Sequence, residues 1–134
     1  MGAKLYVANS GENTISVVDC AQMREVERLS LPPGANGPRR LLLLPEGLFH
    51  SDALSATAGR LFGRKKECCE LVSTGAGPAG LCRAFGGVIL CCAEANSLWF
   101  LRKKPLRPLS CVQTGPFPID VAGTGGVAAV AELF

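Results

Sequence analysis

Few residues in this chain can do chemistry, and their spacing is more informative than their number. Arg64-Lys65-Lys66 and Arg102-Lys103-Lys104 are two basic triplets 38 residues apart. Gathered on one surface, six such cations would attract an acidic protein, an anionic surface or nucleic acid. Cys68-Cys69 and Cys91-Cys92 are the sulfur pairs from which a metal site could be built. Adjacent strand residues point to opposite faces, so each pair offers one sulfur to a shared ion. Structural zinc takes cysteines two to four residues apart, and that spacing is absent here. The expectation is therefore no metal, no cofactor, and thiols used as small buried hydrophobes. His50 is the only histidine, beside Ser51 and Asp52. A nucleophilic dyad needs its base on the same face as its partner, and consecutive strand residues face apart. His50 thus reads as a half-exposed strand residue. The glycine-rich stretches 34–37, 75–80 and 123–126 precede no helix and carry no Walker lysine, so they read as turns and not as phosphate cradles.

The elements that position these residues repeat. Pro38, Pro78 and Pro118 are each 40 residues apart. Val72-Ser73-Thr74-Gly75 returns as Val112-Gln113-Thr114-Gly115, and Gly47 and Gly87 keep the same step. A period of this length means one supersecondary unit copied in series. Overlaying the copies gives a first strand at 5–9, 48–52, 90–94 and 128–132, each ending on a small residue and then a polar one. A second strand spans 14–19 and 96–101, with its middle counterpart lying somewhere in 53–62. Ile15 and Val17 alternate with Thr14, Ser16 and Val18, the pattern of a half-buried strand. A third strand follows at 25–31, 67–74 and 108–114, and a fourth at 40–44, 80–85 and 119–122. Residues 21–29 have some helical propensity, but their counterparts are not helix formers, so consistency favours strand. Four short antiparallel strands per repeat make the blade of a β-propeller. The fold expected is all-β, with about three four-stranded blades forming a partial propeller or open arc.

The repeat also places the basic triplets. Both fall in the hairpin between the second and third strands of consecutive copies, and equivalent hairpins emerge on the same rim. The first copy has only Arg24 there. Charged hairpins also block edge pairing between molecules, which is their plainest use. No aromatics interleave with them as single-strand binding requires, so nucleic acid is not expected. A net charge of +3 over 134 residues is likewise mild for a nucleic-acid binder. With 48% hydrophobic and 19% charged residues the chain is core-forming. Met1-Gly2-Ala3-Lys4 runs straight into strand-like sequence with no signal peptide pattern, and the apolar runs fall short of the roughly 20 residues that span a bilayer. Together with seven cysteines, an odd number, this points to a reducing, cytoplasmic setting.

The stretch Leu5-Tyr6-Val7-Ala8-Asn9-Ser10-Gly11-Glu12-Asn13-Thr14-Ile15-Ser16-Val17-Val18-Asp19 resembles the YVTN-repeat β-propeller family, closely over 3–47 and more loosely over 48–134. The family's repeat has a tyrosine-valine-small-asparagine strand, a Gly/Asn turn and a valine-rich strand ending in Asp. The resemblance implies a toroid around a central channel, but no single activity. It suggests a non-catalytic scaffold that binds a protein or small ligand on a rim, through Arg64, Lys65, Lys66, Arg102, Lys103 and Lys104. The alternative is a hydrolase like the related lactonase-like propellers, with acids at the channel mouth: Asp120 on an innermost strand, Glu46 in a turn, and His50.

The organisation expected is one repeat domain over 1–134. It comprises a partial first blade with the start of the second (3–47), a second repeat (48–87), a third (88–126) and the start of a fourth (127–134). Propellers close with four to eight blades, and Leu133-Phe134 would end the chain inside a strand without a polar cap. Three arrangements stay open: a piece of a longer propeller, self-association of arcs to close a ring, or a smaller stack of sheets.

Overall fold

The computed structural model describes residues 3–124 and 127–132. The expected glycine turn at 123–126 lies partly outside that range, and the expected chain end at Leu133-Phe134 lies wholly outside it. All regular elements among the described residues are strands. The first sheet holds β1 (Lys4–Asn9), β2 (Thr14–Asp19) and β3 (Arg24–Ser30). The second holds β4 (Pro38–Leu44), β5 (Gly47–Asp52), β6 (Thr57–Phe62) and β7 (Cys68–Ser73). The third holds β8 (Pro78–Ala84), β9 (Gly87–Cys92), β10 (Ser97–Lys103) and β11 (Leu106–Gln113), and the last pairs β12 (Pro118–Thr124) with β13 (Val127–Glu132). Every pairing is antiparallel and joins consecutive strands.

The three periodic prolines each open the first strand of a new sheet. Proline donates nothing to a ladder and is tolerated at a strand's first residue, and all three are fully buried. The strands they open, β4, β8 and β12, lie side by side and form the inner wall of the arc. Each of these strands departs from regular register just after its proline, a bulge that breaks the in–out alternation there.

The sheets stack face to face, and the core lies between them. Tyr6, Ile15, Val17 and Leu29 of the first sheet meet Leu41, Leu48, Leu61 and Leu71 of the second. Phe49 and Ala58 of the second meet Val88, Leu90, Cys92, Leu101 and Trp99 of the third. Ile89, Cys91 and Leu98 of the third meet Val121, Ala128 and Val130 of the last. Each fully buried large side chain, such as Ile15 or Phe49, contributes about 1.5–3 kcal/mol of transfer free energy. The repeated Gly47 and Gly87 are needed for close approach. A Cβ on either would come within 2.6 Å of the Leu61 carbonyl oxygen or 2.5 Å of the Leu101 carbonyl oxygen, two equivalent atoms of consecutive sheets.

Two expectations are corrected. The strand expected at 90–94 runs from Gly87 to Cys92. Cys92 pairs with Ser97 as Asp52 pairs with Thr57 and Asn9 with Thr14. Cys91-Cys92 therefore hold the small-polar step of this copy, and Ala93-Glu94 belong to the turn. The phase is set by the Pro78–Gly87 span, which equals Pro38–Gly47, and not by the polarity of the strand's end. The cysteines also divide. Cys82, Cys91 and Cys92 are buried as packing thiols, whereas Cys20, Cys68, Cys69 and Cys111 are free and exposed. Cys68, Cys69 and Cys111 lie on the last strands of their sheets, where neither face is fully covered. Among the described residues no helix is long and apolar enough to cross a membrane.

Candidate functional site

Arg64-Lys65-Lys66 lie in the turn of the β6–β7 hairpin, whereas in the equivalent β10–β11 hairpin Arg102 and Lys103 end β10 and only Lys104 lies in the turn. The β6–β7 turn uses Gly63 at φ 94° and Lys66 at φ 59°. The Glu67 carboxylate folds back to accept the Lys65 backbone N–H at 2.8 Å. Hydrogen bonds from its own and the Lys65 amides hold that carboxyl below its ordinary range, helped by the charges of Lys65 and Lys66. Arg64, Lys65, Arg102 and Lys104 are exposed, while Lys66 and Lys103 are half-buried.

Lys103 differs from the others. Its Nζ lies 3.2 Å from Oε2 of Glu46 in the β4–β5 turn, an ion pair that joins the second and third sheets. The Glu46 carboxyl is held below its usual value by its own backbone N–H and then by Lys103. Lys103 is thus an inter-sheet tie, and Glu46 is a paired structural acid.

Beneath this pair lies a buried knot that sequence reasoning missed. Arg60 is 4% exposed. Its Nε donates to Glu70 Oε1 at 2.7 Å, its Nη1 donates to the Glu46 carbonyl at 2.7 Å, and its guanidinium stacks 3.9 Å from the Phe62 ring centre. Glu70 Oε1 also accepts the Leu106 N–H of the next sheet at 3.0 Å. Burial alone would raise the Glu70 pKa, but the bonds from Arg60 and Leu106 outweigh it and leave the carboxyl lowered.

His50 is not half-exposed. It is wholly buried, and its Nδ1 lies 2.8 Å from Asp52 Oδ1. Asp52 Oδ2 accepts the Thr57 hydroxyl at 2.8 Å, and Thr57 and Ser55 share a bond of 2.7 Å. With both Asp52 oxygens accepting, Nδ1 is assigned as the protonated ring nitrogen. Nε2 is buried without a partner. The sequence signal is the i, i+2 spacing of His50 and Asp52, which puts them on one face of a strand. Gly59 stands opposite His50, and a Cβ there would overlap Cε1 and Nε2 of the ring. The next sheet exchanges these volumes, pairing Leu90 with Trp99 at the same two positions. The first sheet keeps a milder version, in which Asn9 Nδ2 donates to Thr14 Oγ1 at 3.1 Å and to Ser16 Oγ at 2.8 Å. In the third sheet Cys92 takes the Asp52 position, and its thiol is pushed up to about 11 by burial, partly opposed by hydrogen bonds from Thr74 and Ser97.

Asp120 lies on β12 of the inner wall, exposed, with Oδ1 accepting the Val121 N–H at 2.9 Å. The hydrolase constellation is therefore not assembled. Asp120 is exposed on the inner-wall strand β12, Glu46 is tied to Lys103, and His50 is sealed between the first two sheets. Among the described residues no group of three or more His, Cys, Asp or Glu could hold a metal ion.

No protein-family model matches this chain, and no curated protein matches it in sequence. Solved structures do match its fold. Hydrazine synthase of Kuenenia stuttgartiensis aligns with a TM-score of 0.78 at 15% identity, over 88% of this chain and 35% of that one. A catalytically inactive virginiamycin B lyase from Staphylococcus aureus, solved with quinupristin, aligns at 0.70 and 15% identity, over 88% and 41%. The Pan2 WD40 domain of Neurospora crassa aligns at 0.72 and 5% identity, over 92% and 41%. At these identities the likeness concerns the fold alone, and the chain spans only 35–41% of the length of the structures it matches. Stacked antiparallel sheets, a shared inner wall of proline-led strands and this likeness together make the chain part of a β-propeller.

Proposed function

We propose that the chain is a non-catalytic interaction scaffold of the YVTN-repeat type, engaging an acidic protein surface through one rim. The observation that carries this reading is the exposure of Arg64, Lys65, Arg102 and Lys104 on equivalent hairpins of two stacked sheets. Among the described residues none of these four side chains is in an ion pair. Lys103, held by Glu46, supports the rim from beneath and is not part of the docking surface. Unpaired rim charges steer association and make it salt-dependent. The test is affinity capture with the wild-type chain and with Arg64→Glu/Lys65→Glu/Arg102→Glu/Lys104→Glu. Loss of the captured partner in the variant, and its release from the wild type at raised salt, are expected. Equal recovery by both proteins removes the rim from the account.

A further inference from the structure

A second surface, independent of the rim, lies on the inner wall. The bulge after Pro38 leaves both Arg39 and Arg40 exposed at the start of β4. Where β4 carries Arg39-Arg40, β8 carries Ala79-Gly80 and β12 carries Ile119-Asp120, one repeat step apart each time. The middle strand is thus nearly bare of side chains between two bulky neighbours. The result is a cleft of about 340 Å³ lined by Arg39, Arg40, Ala79, Phe117 and Ile119, within the size range of small-molecule sites.

The bare floor is fixed by its surroundings. The Ala79 carbonyl accepts the Ser51 hydroxyl at 2.7 Å, and the Gly80 N–H donates to Cys91 Sγ at 3.2 Å. A Cβ at Gly80 would come within 2.5 Å of Asp120 Oδ1 and 2.8 Å of the Asp120 Cα. No larger residue fits there without moving β12, so the close approach of β12 requires glycine at 80, while the small Ala79 beside it lines the cleft. Among the described residues the side chain of neither Arg39 nor Arg40 has an ion-pair or hydrogen-bond partner. Two adjacent guanidinium groups on one wall are suited to a planar or tetrahedral anion, which they can grip with paired N–H donors. Phe117 and Ile119 give the other wall an apolar surface.

We infer that this cleft binds a small organic anion, its carboxylate or phosphate on Arg39 and Arg40 and its apolar body against Phe117 and Ile119. Isothermal titration calorimetry of the intact chain with inorganic phosphate, benzoate and phenyl phosphate tests this. Saturable binding is expected for benzoate or phenyl phosphate, and the stronger of the two identifies the head group. Arg39→Gln/Arg40→Gln should weaken it about tenfold or more. Ile119→Ala should bring the affinity of the aryl ligand toward that of inorganic phosphate. Lys65→Glu/Lys104→Glu, on the rim, should leave binding unchanged, which separates this site from the protein-docking surface. Three results overturn the inference: no saturable binding of either aryl anion up to about 10 mM, well above the weakest useful affinities; equal affinity in the double arginine variant; or inorganic phosphate binding as tightly as phenyl phosphate. Both arginines and Ile119 are exposed, so these substitutions leave the core intact.

Discussion

The buried polar cluster of the second sheet makes the sharpest test of the packing account. Asp52 is fully buried, and its two oxygens accept His50 Nδ1 and the Thr57 hydroxyl, each at 2.8 Å. Asp52→Ala removes two hydrogen bonds to a charged acceptor, each worth about 1.5–3 kcal/mol. It also strands His50, whose Nε2 already lacks a partner. Thr57 keeps its bond to Ser55, which trims the loss. The expected cost is about 3–5 kcal/mol, a large share of the roughly 5–15 kcal/mol that holds a domain together. The repeat supplies a compensated control. His50→Val/Asp52→Asn copies Val7 and Asn9, which occupy the same register positions in the first sheet. In that background the ring is gone, and Gly59→Ala, expected to cost about 1–3 kcal/mol by overpacking in the wild type, should cost clearly less, the remaining close approach being the Glu70 carbonyl oxygen at 3.0 Å. Urea unfolding followed by fluorescence of Trp99, the only tryptophan, reads every variant at one inter-sheet core. The reasoning fails if Asp52→Ala costs under about 1 kcal/mol, or if Gly59→Ala costs the same in both backgrounds.

Other outcomes follow from the same geometry. Arg60→Ala removes the bonds to Glu70 and to the Glu46 carbonyl and leaves Glu70 with only the Leu106 N–H; with Glu70 partly open to water, a loss of about 2–4 kcal/mol is expected in the same urea assay, and a loss within experimental error would contradict the knot. A thiol reagent on the native protein should modify four cysteines, Cys20, Cys68, Cys69 and Cys111, and reach the other three only on unfolding; rapid modification of all seven would show that the inter-sheet cores are open. Because burial raises the Cys92 pKa to about 11 in the folded state, the unfolded chain releases that proton first. The stability this contributes is intact below about pH 8.5–9 and is lost as pH rises toward 11, by about 2–3 kcal/mol, with Cys82 and Cys91 acting in the same direction. A stability flat across that alkaline window would contradict the burial of these thiols.

Much of the architecture was legible because the turns carry it. The prolines at 38, 78 and 118 mark strand starts that tolerate them, and the glycines at 47 and 87 strand starts whose close approach requires them, so the period survives where side chains diverge. The second strand of the middle copy could not be registered for a physical reason. Gly59 and Arg60 break its alternation, one to admit the His50 ring and the other to anchor the knot, and neither need is visible without the facing strand. The third copy slipped because Cys91-Cys92 look unlike the polar step they replace; a thiol that meets Thr74 and Ser97 does the work of a carboxylate there. The candidate site was legible only as a pattern of charge. Spacing put both basic triplets on equivalent hairpins, but the removal of Lys103 by Glu46 depends on the stacking of two sheets, which sequence distance conceals. Arg39-Arg40 carry no such signal, because regular alternation turns one of them inward and only the bulge exposes both.

The claim beneath all of this is that consecutive copies stack face to face in one fixed phase. Zero-length carbodiimide cross-linking, read by peptide mass spectrometry, tests it most directly through Lys103 and Glu46, whose charged atoms lie 3.2 Å apart across two sheets. The stacking predicts an amide linking these two side chains, abolished by Lys103→Gln. Intramolecular links that join Lys103 only to carboxylates of its own sheet would contradict it.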